Sequence, residues 1–288
     1  MTAVKGPQYS RHVRTTPPER PVQPRSLIVT IYGSYAREAG GWMSVATLIR
    51  LMDALGVDEP AVRSSTSRLK RRGILEAARV DGAAGYALSE QGRAILAEGD
   101  RRIFARPAVT TGEGWVLAVF SVPEAERAKR HTLRSRLSWL GFGTVAPGVW
   151  IAPAHLTDET TDVLARLGLL HYVDLFAARP VAVDDLRAEV ALWWDLDQIQ
   201  DSYAAYVRRW RPVAAAWARR RRVEAESAFT DYVHTLNAWR RLPYLDPGLP
   251  SELLPPRWQG TEAAEVFFAL RERLAEPAHD HVVQVRGG

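Results

Sequence analysis

The stretch Val62-Arg63-Ser64-Ser65-Thr66-Ser67-Arg68-Leu69-Lys70-Arg71-Arg72 sets five bases and four hydroxyls side by side without an acid. These are side chains that meet nucleic acid. Arg binds guanine edges bidentately, and Ser and Thr serve base edges or phosphates. As a helix, at 100° per residue, the stretch gathers Ser64, Ser67, Arg68 and Arg71 on one face, opposite Val62 and Leu69. That face is assigned to the major groove. Arg63, Lys70 and Arg72 are placed for phosphates, whose contacts fix register without reading sequence. Arg79 falls on a following hairpin, where it would touch flanking backbone.

Little else in the chain has the makings of chemistry. Without cysteine there is no disulfide framework, thiolate zinc site, iron–sulfur cluster or cysteine nucleophile. His131, His155, His171 and His234 have no carboxylate or imidazole at ligand spacing, and His279 and His281 sit in what reads as a polar tail. Gly141-Phe142-Gly143 lacks the third glycine of a dinucleotide fingerprint, and no Gly-x-Ser-x-Gly elbow occurs. The expectation is a protein with no catalytic residues, no metal and no cofactor.

A basic run more often marks a solvated face than a reading helix, so its setting decides. Leu27, Ile28, Ile31 and Tyr35 recur at helical spacing up to Gly40-Gly41. Ser44 then caps a second helix with Leu48, Leu51, Met52 and Leu55 inside, and Asp58 caps the basic third, which Gly73 ends. Ile74–Val80 and Tyr86–Leu88 read as strands around the turn residues 81–85, and Ser89 opens a helix to about Phe104. Three helices, a hairpin and a helix make the order of a winged helix-turn-helix, in which the second of the paired helices enters the groove.

From Trp115 the period changes. Trp115–Val122 is an almost unbroken apolar run, followed by a helix over Glu124–Leu140. Strands at Gly141–Val145 and Val149–Ala152, a helix at Thr157–Leu167 and a strand at His171–Ala177 complete a βαββαβ string, the ferredoxin-like pattern. Beyond Asp184 the chain is helical and rich in Trp and Arg, broken by the proline-dense Pro243–Pro256 and closed by a helix near Thr261–Leu274. The fold class is therefore α+β. A disordered arm with five prolines covers residues 1–24, a winged helix 25–106, a ferredoxin-like middle domain 113–180, and a helical C-terminal domain 184–276.

Charge supports that division. Residues 1–106 carry 17 Lys+Arg against 10 Asp+Glu, so the net +5 of the chain resides in its first third and the remainder is at −2. Such asymmetry suits one domain meeting a polyanion. With 47% hydrophobic and 25% charged residues each domain can bury a core. No apolar run approaches the roughly 18 residues of a membrane span, so a soluble, cytoplasmic protein with no membrane partner is expected. One recognition helix covers only a few base pairs, which points to a homodimer on two half-sites of double-stranded operator DNA.

Several stretches together resemble the PaaX-type transcriptional regulators, the repressors of phenylacetic acid catabolism. They are Arg25-Ser26-Leu27-Ile28-Val29-Thr30-Ile31-Tyr32-Gly33, then Gly56-Val57-Asp58-Glu59-Pro60-Ala61-Val62-Arg63 through Gly73, and Tyr86-Ala87-Leu88-Ser89-Glu90-Gln91-Gly92. Late matches are Asp246-Pro247-Gly248-Leu249-Pro250 and Leu253-Leu254-Pro255-Pro256-Arg257-Trp258-Gln259-Gly260. The resemblance implies a dimeric repressor that leaves its operator when an acyl-CoA thioester such as phenylacetyl-CoA binds. Serines stand in the third helix where the family has residues such as Gln, which implies a different operator. His234, Trp239, Arg240, Arg241 and Trp258 are the candidates for an effector cleft beside the Pro-rich segment.

Two rivals accompany this reading. The middle domain also looks like the small CRISPR-associated ferredoxin-like nucleases, whose metal site needs an Asp at the end of the first strand. Here Phe120-Ser121-Val122-Pro123 stands there, with Glu124 and Glu126 only in the next helix, a poor set for a hard divalent ion. The other rival is a protein-binding scaffold built on the helical domain.

Overall fold

A computed structural model of the chain describes residues 22–104, 114–181 and 183–287. The expected arm lies outside these residues as far as residue 21, and helix starts at Pro24. Helix α1 (Pro24–Ile31) runs on into a π-helical turn over Tyr32–Ala36, β1 (Trp42–Ser44) follows, and then α2 (Val45–Asp53) and α3 (Glu59–Arg71). Both caps form. Ser44 Oγ accepts from Thr47 N at 3.0 Å, and Asp58 Oδ1 accepts from Ala61 N at 2.8 Å. Gly73, at φ +69°, takes the left-handed conformation that ends α3.

The hairpin β2 (Leu75–Val80) and β3 (Ala83–Leu88) is tighter than the sequence suggests. Its turn is the pair Asp81-Gly82, both at positive φ, and not the five residues 81–85. Ala83 and Ala84 have weak strand propensity, but the ladder to Val80 and Arg79 holds them in β3. The short β1 was not legible at all; it joins the other edge of β3, giving an antiparallel sheet in the order β1-β3-β2. Helix α4 (Glu90–Phe104) leads away from it.

The next unit runs β4 (Trp115–Phe120), α5 (Arg127–Trp139), β5 (Gly143–Ala146), β6 (Val149–Pro153), α6 (Thr157–Arg166) and β7 (Val173–Ala178). Its strands form one antiparallel sheet in the order β5-β6-β4-β7. Alternation along β4 puts Val116 and Ala118 on the face that meets Leu133 and Leu137 of α5 and Val163 and Leu164 of α6. The expected helix from Glu124 begins as a 3-10 turn, and α5 proper starts at Arg127.

Five helices complete the chain: α7 (Leu186–Trp193), α8 (Leu196–Arg219), α9 (Ala225–Trp239), α10 (Leu242–Leu245) and α11 (Gln259–Gly287). The last corrects the sequence reading. The helix expected to stop near Leu274 continues through Pro277 to Gly287, because Leu274, Ala278, His281 and Val282 extend its buried stripe. Pro277 removes one ladder hydrogen bond, and burial of that stripe outweighs the loss. His279 and His281 are therefore helical and not a loose tail. His281 is buried, its ring 5.1 Å from that of Phe229.

One continuous core includes α1–α3, β2 and β3 together with α8, α9 and α11 and takes in Trp115 and Ile151 from one face of the middle sheet, whereas the other face packs on α5 and α6 in a second core. Polar groups cross the seam between α1 and α9. Asn237 Oδ1 accepts from Ser26 Oγ at 2.6 Å and Thr30 Oγ1 at 3.2 Å, and Arg240 Nη2 donates to Ser26 O at 3.2 Å. The middle unit is fastened by several polar contacts, Arg166 of α6 to Glu98 of α4 at 2.8 Å among them. Trp194 Nε1 donates to Gly141 O at 2.9 Å. Arg102 of α4 holds Glu159 of α6 (Nε to Oε1 2.9 Å) and donates to the carbonyls of Trp139 and Leu140 at 3.3 and 2.8 Å.

Candidate nucleic-acid interface

Helix α3 owes its orientation to four buried residues. Val62, Ser65, Thr66 and Leu69 face inward, and the Thr66 hydroxyl donates to Val62 O at 2.6 Å, so the hydroxyl is satisfied in the core. Packing against α1 and α2 then leaves the remaining face to solvent. Arg63, Ser64, Ser67, Arg68, Lys70, Arg71 and Arg72 are all exposed, as is Arg79 on β2. Ser64, Ser67, Arg68 and Arg71 are brought together at i, i+3, i+4 and i+7 spacing on one side of the rod.

The local contacts order these side chains without neutralising most of them. Arg63 is tied to Glu59 (Nη2 to Oε1 2.6 Å), and Arg68 Nη2 donates to Ser64 Oγ at 2.8 Å. Among the described residues Arg68, Lys70, Arg71 and Arg72 have no acidic partner. Arg68, Lys70 and Arg71 stand in the last turn of α3, where the helix dipole favours cations. Arg79 Nη1 donates to Gly82 O at 3.1 Å, which lays the guanidinium along the hairpin turn. Such a convex basic face, with hydroxyls between the guanidiniums, can hydrogen-bond both base edges and phosphates.

Groups that the sequence left unassigned hold the hairpin in place. Trp42 Nε1 donates to Ala78 O at 3.4 Å, and the buried Tyr32 donates its hydroxyl to Tyr86 O at 3.1 Å. Burial pushes the Tyr32 phenol well up, so it remains a donor. Arg286, near the end of α11, donates to Trp42 O at 3.0 Å, a contact of the C-terminal helix with the sheet below α3. A cavity of about 280 Å³ opens between the start of α2 and the hairpin, lined by Val45, Ala77, Arg79, Ala84 and Tyr86.

None of the five candidates for an effector cleft lines that cavity. Trp239 is a core residue. It is fully buried, stacked on Phe267 at 4.9 Å, and donates Nε1 to Ile103 O at 2.9 Å. Arg240 turns to α1 and Ser26. His234 is half-buried on α9, where burial and then the neighbouring Arg209 hold its imidazole below the usual value. Trp258 is half-buried edge-on to Tyr203 at 5.8 Å, and Arg241 is exposed. The Asp246-Pro247-Gly248 turn sits close by, with Asp246 Oδ2 accepting from Tyr203 Oη at 2.8 Å.

The carboxylates after β4 are spent on cations. Glu124 pairs with Arg130 at 3.1 Å, and Glu126 accepts from Lys129 and from the Tyr172 hydroxyl. Those two hydrogen bonds hold Glu126 below the usual carboxylate range, and Lys129, bonded to Glu126 and to the Tyr172 hydroxyl, is pushed up to about 12. Among the described residues no three His, Asp or Glu side chains converge on a point, and no helix is long and apolar enough to cross a membrane.

Comparison with known proteins covers nearly all of this structure. Residues 23–92 match the family described as PaaX-like protein, residues 109–190 the PaaX protein central Cas2-like domain, and residues 194–284 the PaaX-like protein C-terminal domain. Transcriptional repressor PaaX of Escherichia coli (strain K12) is 28% identical over 265 residues, spanning 90% of this chain and 82% of that protein. The solved structure of an uncharacterized protein from Mycobacterium tuberculosis is alike in fold, with a TM-score of 0.58 at 21% identity, over 91% of this chain and 99% of the other.

Proposed function

The chain belongs to the PaaX family, and on that premise we propose that it is a transcriptional repressor that binds operator DNA through α3 as a homodimer and leaves it on binding an acyl-CoA thioester. The single observation that carries the DNA-binding part is the exposed face of Ser64, Ser67, Arg68 and Arg71, anchored from behind by Val62 and Leu69. We read residues 25–106 as a winged helix: three helices precede the β2–β3 hairpin, and Arg79 on its wing adds a backbone contact. Residues 113–180 are read as a ferredoxin-like domain, supported by the order β5-β6-β4-β7, and the helical domain from 184 extends to 287.

Dimerisation suits the requirement for two half-sites. The middle sheet offers a surface for it: Val119 and Phe176 are 37% and 52% exposed on the face that α5 and α6 do not cover. A cytoplasmic protein fits a partner that is chromosomal DNA.

The inducer is taken to be an aryl-acyl-CoA such as phenylacetyl-CoA, and the repressed genes those of an aromatic or related carboxylic acid pathway. Of the five cleft candidates, His234, Arg240, Arg241 and Trp258 retain surface to offer, whereas Trp239 is fully buried. Induction needs the thioester to prefer the off-DNA conformation, since equal affinity for both states shifts nothing. The Asn237–Ser26–Thr30 seam supplies a route, because α1 packs on α3 on one side and on α9 on the other.

Gel-shift titration on a promoter duplex from its own locus tests the reading. Arg68→Ala is expected to weaken binding by about 1–3 kcal/mol, roughly 5- to 150-fold, and to relax preference at one base pair. Arg71→Ala is expected to act likewise at a neighbouring base. Phenylacetyl-CoA should release the wild-type complex. Wild-type affinity and selectivity in both variants would refute the assignment of α3.

A further inference from the structure

Helix α5 is as basic as α3, and no role so far described uses it. Its thirteen residues hold Arg127, Lys129, Arg130, Arg134, Arg136 and His131, with no acid. Leu133 and Leu137, fully buried, fix which side meets the sheet. At 100° per residue Arg127, His131, Arg134 and Ser138 form one stripe, all exposed, on the flank between the buried leucines and the outermost residues Ala128 and Ser135. Lys129 and Arg130 are paired with Glu126 and Glu124. Arg127, Arg134 and Arg136 have no acidic partner among the described residues.

Ordinary solvation does not require such segregation. Helix α6 covers the same sheet face with Asp158, Glu159 and Asp162 and has Arg166 as its one Lys or Arg. Charge within this unit is therefore sorted by helix, basic on α5 and acidic on α6, as it is when one surface meets a polyanion.

The connection to α3 sets the geometry. Gly73, which ends α3, lies beside Gln91 in the first turn of α4, and Arg102 in the last turn of α4 holds the carbonyls that end α5. Helix α4 thus separates the two basic helices by about 22 Å, and α5 adds up to about 20 Å more. One turn of duplex is about 34 Å. Arg127 and Arg134, about 10 Å apart along α5, match the reach of several phosphates spaced about 3.4 Å per strand.

We infer that α5 is a second phosphate-binding surface, which lays Arg127, His131 and Arg134 against duplex DNA about one turn from the segment read by α3. This rests on the DNA-binding reading of α3, and the test separates the two. Affinity is measured against salt for two mixed-sequence duplexes, of about 40 and about 12 base pairs. The triple variant Arg127→Ser/His131→Ser/Arg134→Ser is expected to bind the long duplex about 10-fold more weakly at physiological salt, with a salt slope lower by about 2. It should bind the short duplex as wild type does. Arg134→Glu, which keeps helix propensity, should act in the same direction, and the melting temperature of each variant reports its fold.

An unchanged slope on the long duplex, or an equal loss on both, would overturn the inference. The double variant Arg68→Ala/Arg71→Ala should lose both duplexes. If it loses both while the α5 variant loses neither, the inference alone fails; if it retains both, the reading of α3 fails with it.

Discussion

Trp239→Ala is expected to lower the unfolding free energy by about 3–5 kcal/mol, the range for truncating a fully buried indole. The ring is stacked on Phe267 of α11, lies 5.7 Å from Tyr206 of α8, and reaches α4 through Nε1 on Ile103 O. Removing it opens a cavity at the meeting point of four helices and orphans a carbonyl. Trp239→Phe keeps the stacking and loses the donor, so about 1–2 kcal/mol is expected. Urea titration followed by circular dichroism should show a lower midpoint. A loss below about 1 kcal/mol for the alanine variant would mean that the site collapses around the gap, and that the indole is not the keystone assigned to it.

The second large effect lies between α4 and α6. Arg102 and Glu159 are only 10% and 17% exposed, and the guanidinium also lies over the rings of Trp139 and Tyr244 at 5.8 and 5.5 Å. Glu159→Ala leaves that cation with carbonyls and aromatic faces alone. Breaking one side of a buried pair costs about 3–5 kcal/mol, and the remaining solvent contact reduces the expectation to about 2–4. Replacing both partners, as Arg102→Met with Glu159→Leu, should recover most of the loss, because no charge is then stranded. Thermal unfolding of the single and double variants checks this. A single variant as stable as wild type would show the pair to be energetically idle, as exposed pairs often are.

Local chemistry made much of the first unit readable. Ser44, Asp58, Pro60 and Gly73 punctuate α2 and α3 by short-range hydrogen bonds and backbone preferences, and Val62 and Leu69 were legible as the inner face from spacing alone. What escaped depends on distant partners. Strand β1 is three residues that gain meaning only against β3, and Ala83–Gly85 are strand because Ala78 to Val80 pair with them on one side and Ser44 pairs with Gly85 on the other. The last turns of α11 are held by Phe229 and Trp42, more than forty residues away. Trp239 shows the limit most plainly: an aromatic at helical spacing reads equally as cleft wall or as core, and only the positions of Phe267 and Ile103 decide. The basic stripe of α5 was hidden for another reason. Averaging charge over residues 107–288 gives −2, because acids such as those of α6 cancel it in sum though not in place.

The shared core of the two chain ends bears on how this protein can be taken apart. Tyr35 is packed at 5.9 Å on Phe229, Thr230 Oγ1 donates to Ala54 O at 3.2 Å, and Arg286 reaches Trp42. An excised first unit ending near residue 104 would carry a raw apolar scar where α9 and α11 had been, and would be prone to self-association. Swapping first units between relatives therefore means grafting matched α1 and α9 surfaces as a pair, and exchange of the middle unit must carry over Trp115 and Ile151, which it lends to the same core.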